Sequence, residues 1–129
     1  NAEVRDEIFE ILHRATNHNS VPDTTAELDL SRVMQCMDTT NGVMALFRHL
    51  QRTAQDCGFG EIGCFQVGGL SDSGITVACG VPTVCGMGVR GEGNHTPDEY
   101  AEVESLFQRS VLAACAAYTL NDDFAKAAE

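Results

Sequence analysis

The apolar residues of this 129-residue chain change their spacing several times, and that changing period restricts the fold more than any other feature. Helical spacing buries one stripe and strand spacing buries alternate residues. A chain that keeps switching between them predicts an α/β fold rather than a bundle or a sandwich. Over residues 3–15, Ile8, Ile11, Leu12 and Ala15 recur at helical intervals. Glu3, Asp6 and Glu7 suit the positive end of that helix, and His13 and Arg14 its negative end. Asn17, Asn19, Ser20, Pro22 and Asp23 then form a turn. From 25 to 30 the chain alternates, with Ala26, Leu28 and Leu30 on one side and Thr25, Glu27 and Asp29 on the other. That pattern predicts a half-buried strand.

Thr39, Thr40 and Asn41 are N-cap candidates for a second helix with the stripe Val43, Phe47, Leu50 and Ala54, stopped by Gly58. Residues 62–67 are apolar on both faces, as in a central strand of a covered sheet. Gly68-Gly69 ends that strand. Ser71 or Asp72 caps a short helix running through Ala78 and closed by Gly80. Residues 81–85 read as another buried strand. Thr96-Pro97-Asp98-Glu99 has capping-box spacing with proline at the first helical position. The last helix is predicted over 104–120, with Leu106, Ser110 and Cys115 inward. Asn121-Asp122-Asp123 ends it, and 124–129 fray. The expected architecture is a sheet covered by helices.

Composition narrows the function classes. A hydrophobic fraction of 43% supports a real core, and a chain of this length buries roughly two-thirds of its unfolded surface. The net charge of −11 repels phosphate backbones and argues against a nucleic-acid partner. No apolar run has the length of a membrane span, and no signal-peptide pattern is present, so no membrane partner is expected. The six cysteines include no C-x-x-C pair, so a structural zinc site of the usual spacing is not indicated. Cys64 and Cys115 sit in apolar runs, which predicts small buried hydrophobes in a reducing, cytoplasmic setting. Asn1-Ala2 before an abrupt helical start reads as a cloning remnant, which would make the chain an excised piece.

The chemistry concentrates in Gly91-Glu92-Gly93-Asn94-His95-Thr96-Pro97-Asp98-Glu99-Tyr100. A lone histidine is more often structural or surface than a ligand. Here glycines at 86, 88, 91 and 93 let the backbone approach a neighbour, and the loop follows an expected strand, where α/β sites form. Glu99 has two readings, orienting the His95 ring or capping the turn, and both stand. Gly68-Gly69-Leu70-Ser71-Asp72 offers backbone N–H groups and a hydroxyl to a carboxylate or carbonyl oxygen. It reads equally well as a strand end followed by a helix cap. Gly86-Met87-Gly88-Val89-Arg90-Gly91 fits a dinucleotide fingerprint, but no helix opens directly after it, so that reading is rejected. Ser71, Cys79 or Cys85 as a nucleophile would need a paired base, for which His95 is the sole candidate.

The two segments around Asp72 and His95, with Cys79-Gly80-Val81-Pro82-Thr83-Val84 between them, together resemble the C-terminal part of the M20 family of dinuclear zinc metallopeptidases and amidohydrolases. Glutamate carboxypeptidases, acylornithine deacetylases and succinyl-diaminopimelate desuccinylases belong to it. The resemblance implies that residues 1–30 end the smaller lid domain, through which a homodimer forms. Residues 31–129 are then the C-terminal part of the catalytic domain, and Val21 to Leu28 match the crossing between the two. It implies His95 as the last metal ligand in the chain, and Gly68, Gly69 and Ser71 beside the substrate. Asp72 and Glu99 take supporting or structural places.

In the complete enzyme two zinc ions activate a hydroxide that attacks the amide of a peptide or N-acyl amino acid. The family's other ligands come from a His-x-Asp motif, further acidic residues and a Glu-Glu pair. Neither motif occurs in this sequence. No catalytic base is therefore assigned, and Glu92, Glu102 and Glu104 are read as solvated surface. The isolated chain is expected neither to hydrolyse amides nor to hold zinc tightly. The alternative is a stand-alone α/β binding or assembly module without catalysis.

Overall fold

The structure, a computed structural model, describes residues 2–18 and 20–121. The described residues hold four helices: α1 (Ala2–Thr16), α2 (Asn41–Asp56), α3 (Ser73–Ala78) and α4 (Val103–Thr119). They also hold one two-stranded antiparallel sheet of β1 (Gly91–Glu92) and β2 (Tyr100–Ala101). Helix and sheet are both present, and helix predominates. The chain divides into two compact units, residues 1–38 with 70–80, and residues 39–69 with 81–129.

In the first unit, α1 forms where the sequence predicts it, and Arg5 reaches from it to the Gln35 side-chain oxygen at 2.9 Å. Its expected apolar stripe is not buried, since Ile8, Ile11 and Leu12 are exposed. Helix α3 presses its Gly74 against the backbone of Gln35. A Cβ at Gly74 would collide with the Gln35 carbonyl, so only glycine fits. Of the two cap candidates Ser71 does the work. Its Oγ accepts the Ser73 N–H at 3.3 Å and bonds the Ser73 hydroxyl at 2.8 Å. Asp72 stands at the N-cap position without a side-chain cap bond. Gly80 closes the helix at φ 82, a left-handed conformation that suits glycine.

In the second unit, Thr40 caps α2 as predicted, accepting the Val43 N–H at 3.2 Å. Leu50 and Ala54 of the predicted stripe bury against Leu112 and Ala116 of α4. Phe59, Ile62, Val84 and Met87 pack around this cluster. His49 Nε2 bonds the Ala116 carbonyl at 2.9 Å, a polar link between the same helices. The inward face of α4 differs from the expected one. Ser105, Leu112 and Ala116 are buried, whereas Leu106 and Ser110 point outward. Small residues around the helix left its apolar stripe ambiguous, and packing against α2 selected the face.

The three expected strands at 25–30, 62–67 and 81–85 carry no regular secondary structure. Alternation and apolar runs report which side chains want burial, but a strand also needs a partner for its backbone groups. Ile62 and Val84 still reach the core, while Phe65 and Val67 are 86% and 71% exposed. The capping box at 96–99 opens no helix; α4 begins only at Val103. The cysteines are not buried hydrophobes either. Cys64, Cys79 and Cys85 are exposed, and Cys36, Cys57 and Cys115 are partly buried. The predicted fraying at 124–129 lies outside the described residues.

Candidate functional site

The segment carrying His95 is a short hairpin. β1 and β2 pair Gly91 with Ala101 and Glu92 with Tyr100, and residues 93–99 form the loop between them. The sequence pattern predicts a glycine-rich loop followed by a capping box here, not a hairpin. The hairpin was missed because two-residue strands leave no periodicity to read. Gly91 is required by close approach: a Cβ there would strike the Tyr100 carbonyl.

The base of the hairpin is clamped to the start of α4. Glu102 N–H donates to the Arg90 carbonyl at 2.8 Å, and the Arg90 guanidinium meets the Glu102 carboxylate at 2.9 Å. Ser105, 1% exposed, accepts the Arg90 N–H at 2.8 Å and donates to the Glu102 carbonyl at 2.6 Å. A hydroxyl has one proton to give and lone pairs to accept with, so this one side chain satisfies both backbone groups. Glu102 is thus exposed, as expected, but also paired.

At the tip, the Thr96 N–H and hydroxyl both donate to the Gly93 carbonyl, at 3.0 and 2.7 Å. The Glu99 N–H returns to the Thr96 carbonyl at 3.2 Å. Gly93 takes φ 75, and a Cβ there would come within 3.0 Å of the Asp98 carbonyl oxygen, so a side chain is both strained and crowded. His95 itself sits at φ 67. The left-handed region costs a residue with a Cβ about 1–2 kcal/mol. The surrounding turn bonds hold it there, and the Glu99 carboxylate accepts the His95 N–H at 3.4 Å. Of the two readings of Glu99, the structure shows the turn-holding one. Its carboxylate meets the His95 backbone. The His95 side chain is exposed.

Gly68 and Gly69 are exposed, with nothing within 4 Å of where a Cβ would stand. They belong to the second unit, whereas Ser71 and Asp72 belong to the first. Ser71 is partly buried and engaged with Ser73; Asp72 is exposed. The structure therefore brings His95 together with Glu99, and Ser71 together with Ser73.

One imidazole supplies one metal bond, and a catalytic zinc site takes three protein ligands. No group of three or more His, Cys, Asp or Glu that could hold a metal occurs among the described residues. No helix among the described residues is long and apolar enough to cross a membrane. No protein-family model, curated protein or solved structure matches this chain.

Proposed function

We propose that the chain is the C-terminal piece of an M20-type zinc peptidase or amidohydrolase, cleaving an amide bond of a peptide or N-acyl amino acid. His95 is one metal ligand of the complete enzyme, and the remaining ligands come from outside these residues. The observation that carries the reading is the setting of His95. An exposed imidazole on a backbone held in the left-handed region, at the tip of a clamped hairpin, is a donor presented outward. Strained residues of this kind cluster at functional sites.

The bare backbone at Gly68-Gly69 supports a substrate-facing role, since no side chain stands between its amides and an arriving carboxylate. Glu99 acts on the ligand through the backbone, fixing the turn from which the ring projects. The exposed Ile8, Ile11 and Leu12 of α1 support pairing of the 1–30 part with a second copy.

The test is to read the coding region upstream of Glu3. A His-x-Asp motif followed by a Glu-Glu pair is the expected finding. A start codon directly before Glu3 would overturn the reading. In the complete enzyme, His95→Ala should lose bound zinc and amide hydrolysis together. The alternative, a stand-alone assembly module, draws on the exposure of Phe65 and Val67, since apolar surface of this kind favours association. A monomer by sedimentation would sink that alternative.

A further inference from the structure

Helix α4 is apolar on both sides. Its buried residues are Ser105, Leu112 and Ala116, the last two packed in the cluster with α2. At the helical period the opposite side carries Val103, Phe107, Ser110, Val111, Ala114 and Tyr118, all of them exposed. The large ones range from 46% exposed at Val111 to 90% at Tyr118. None of the six is charged, and the helix's Glu104 and Arg109 stand off this stripe. The Ser110 hydroxyl donates to the Leu106 carbonyl of its own helix at 2.8 Å, so it can be covered without losing a partner. A helix that is apolar all round is normally buried all round.

We propose that this stripe is the interface of a homodimer, in which α4 packs antiparallel on α4 of a second copy. The four large side chains leave on the order of 600 Å² open, at the upper end for an ordinary monomer's largest patch and about one partner's share of a small specific interface. An interface between identical copies must complement itself. The stripe does so, because its spacing is the same read from either end: Val103, Phe107, Ser110 with Val111, Ala114, Tyr118. A two-fold axis between Ser110 and Val111 sets Val103 on Tyr118 of the second copy and Phe107 on its Ala114. The large ring then meets a methyl, and bulky and small positions interdigitate.

The chain's net charge of −11 holds off nucleic acid and anionic lipid, and an uncharged stripe gives a charged peptide nothing to pair with. The same charge opposes self-association at long range, where salt screens it. The pairing involves neither α1 nor His95 and does not rest on the M20 reading.

The test is sedimentation equilibrium of the whole chain over a concentration series at roughly 0.15 M salt, where repulsion is screened beyond about 8 Å. Wild type is expected as a dimer. Phe107→Glu and Ala114→Lys should each raise the dimer Kd roughly tenfold or more, with far-UV circular dichroism unchanged because both sites are exposed. Ala114→Lys lowers the net negative charge, so its loss of association cannot come from overall repulsion. Mixing the two variants should restore the dimer, since one contact becomes Glu against Lys and the other stays Phe against Ala. Within one copy the two positions lie about 10 Å apart along the helix, so restoration reports a contact between copies. Ile11→Lys on α1 should leave the dimer intact. A monomeric wild type would overturn the proposal, as would single variants that associate like wild type. So would a mixture that stays monomeric, or an Ile11→Lys chain that dissociates.

Discussion

Replacing Leu112 by alanine tests whether the α2–α4 contact is what holds the second unit together. Leu112 is 2% exposed and packs with Leu50, Ala54 and Ala116. Two of those neighbours are alanines, which cannot swing a side chain into the space left behind. The loss is then both the transfer energy and the cavity, about 3 kcal/mol within the usual range for a buried leucine. For a unit of roughly 80 residues each kcal/mol moves the midpoint by about 4–8 °C, so Tm should fall on the order of 15 °C. Leu106→Ala is the control. It makes the same chemical change in the same helix, so helix propensity cancels. Leu106 is 51% exposed, so its loss should be about 0.5–1 kcal/mol. Thermal and urea unfolding followed by far-UV circular dichroism measure both. Equal destabilisation by the two variants would refute the assignment of the inward face.

Other expectations rest on separate observations. Gly91→Ala should break the β1–β2 pairing, because the new methyl meets the Tyr100 carbonyl. Loss of amide protection at residues 91–101, with α2 protection unchanged, is the readout by hydrogen exchange. Ser105→Ala strips the Arg90 N–H of its hydroxyl partner, while the Glu102 carbonyl keeps the Ser105 N–H, and should cost about 1–3 kcal/mol in urea unfolding. The Asp29 carboxylate accepts the Ser31 N–H at 2.8 Å, and bonds from Ser31 lower its pKa. Its contribution to stability is present above the ordinary aspartate value and lost as pH falls through the lowered one. An NMR titration showing Asp29 at or above the ordinary value would contradict this. The raised Cys57 pKa carries the opposite sign, with stability present below the ordinary thiol value and lost as pH rises through the raised one. Ultraviolet thiolate titration of Cys57→Ser against wild type should show a late-ionising thiol missing.

The candidate site was partly legible in the chain. His95 stood out because a histidine among glycines, followed by Thr-Pro-Asp-Glu, reads as a turn that presents a ring. For Glu99 the spacing allows both ring-orienting and turn-capping, and only the hairpin places its carboxylate on the His95 N–H. The partnership of Arg90, Glu102 and Ser105 had no signal at all. It joins residues across a hairpin whose strands are two residues long.

Local chemistry in the sequence determined the helices. Thr40 caps α2, Gly80 ends α3, and the Val43, Leu50 and Ala54 stripe chooses its buried face, because capping and helical period act within a few residues. Tertiary structure decided what depends on partners distant in sequence. Leu112 rather than Leu106 faces inward because α2 packs there. Residues 62–67 have the side chains of a strand and stay outside any sheet. A strand is completed by a neighbour's backbone, and no period in its own sequence supplies one.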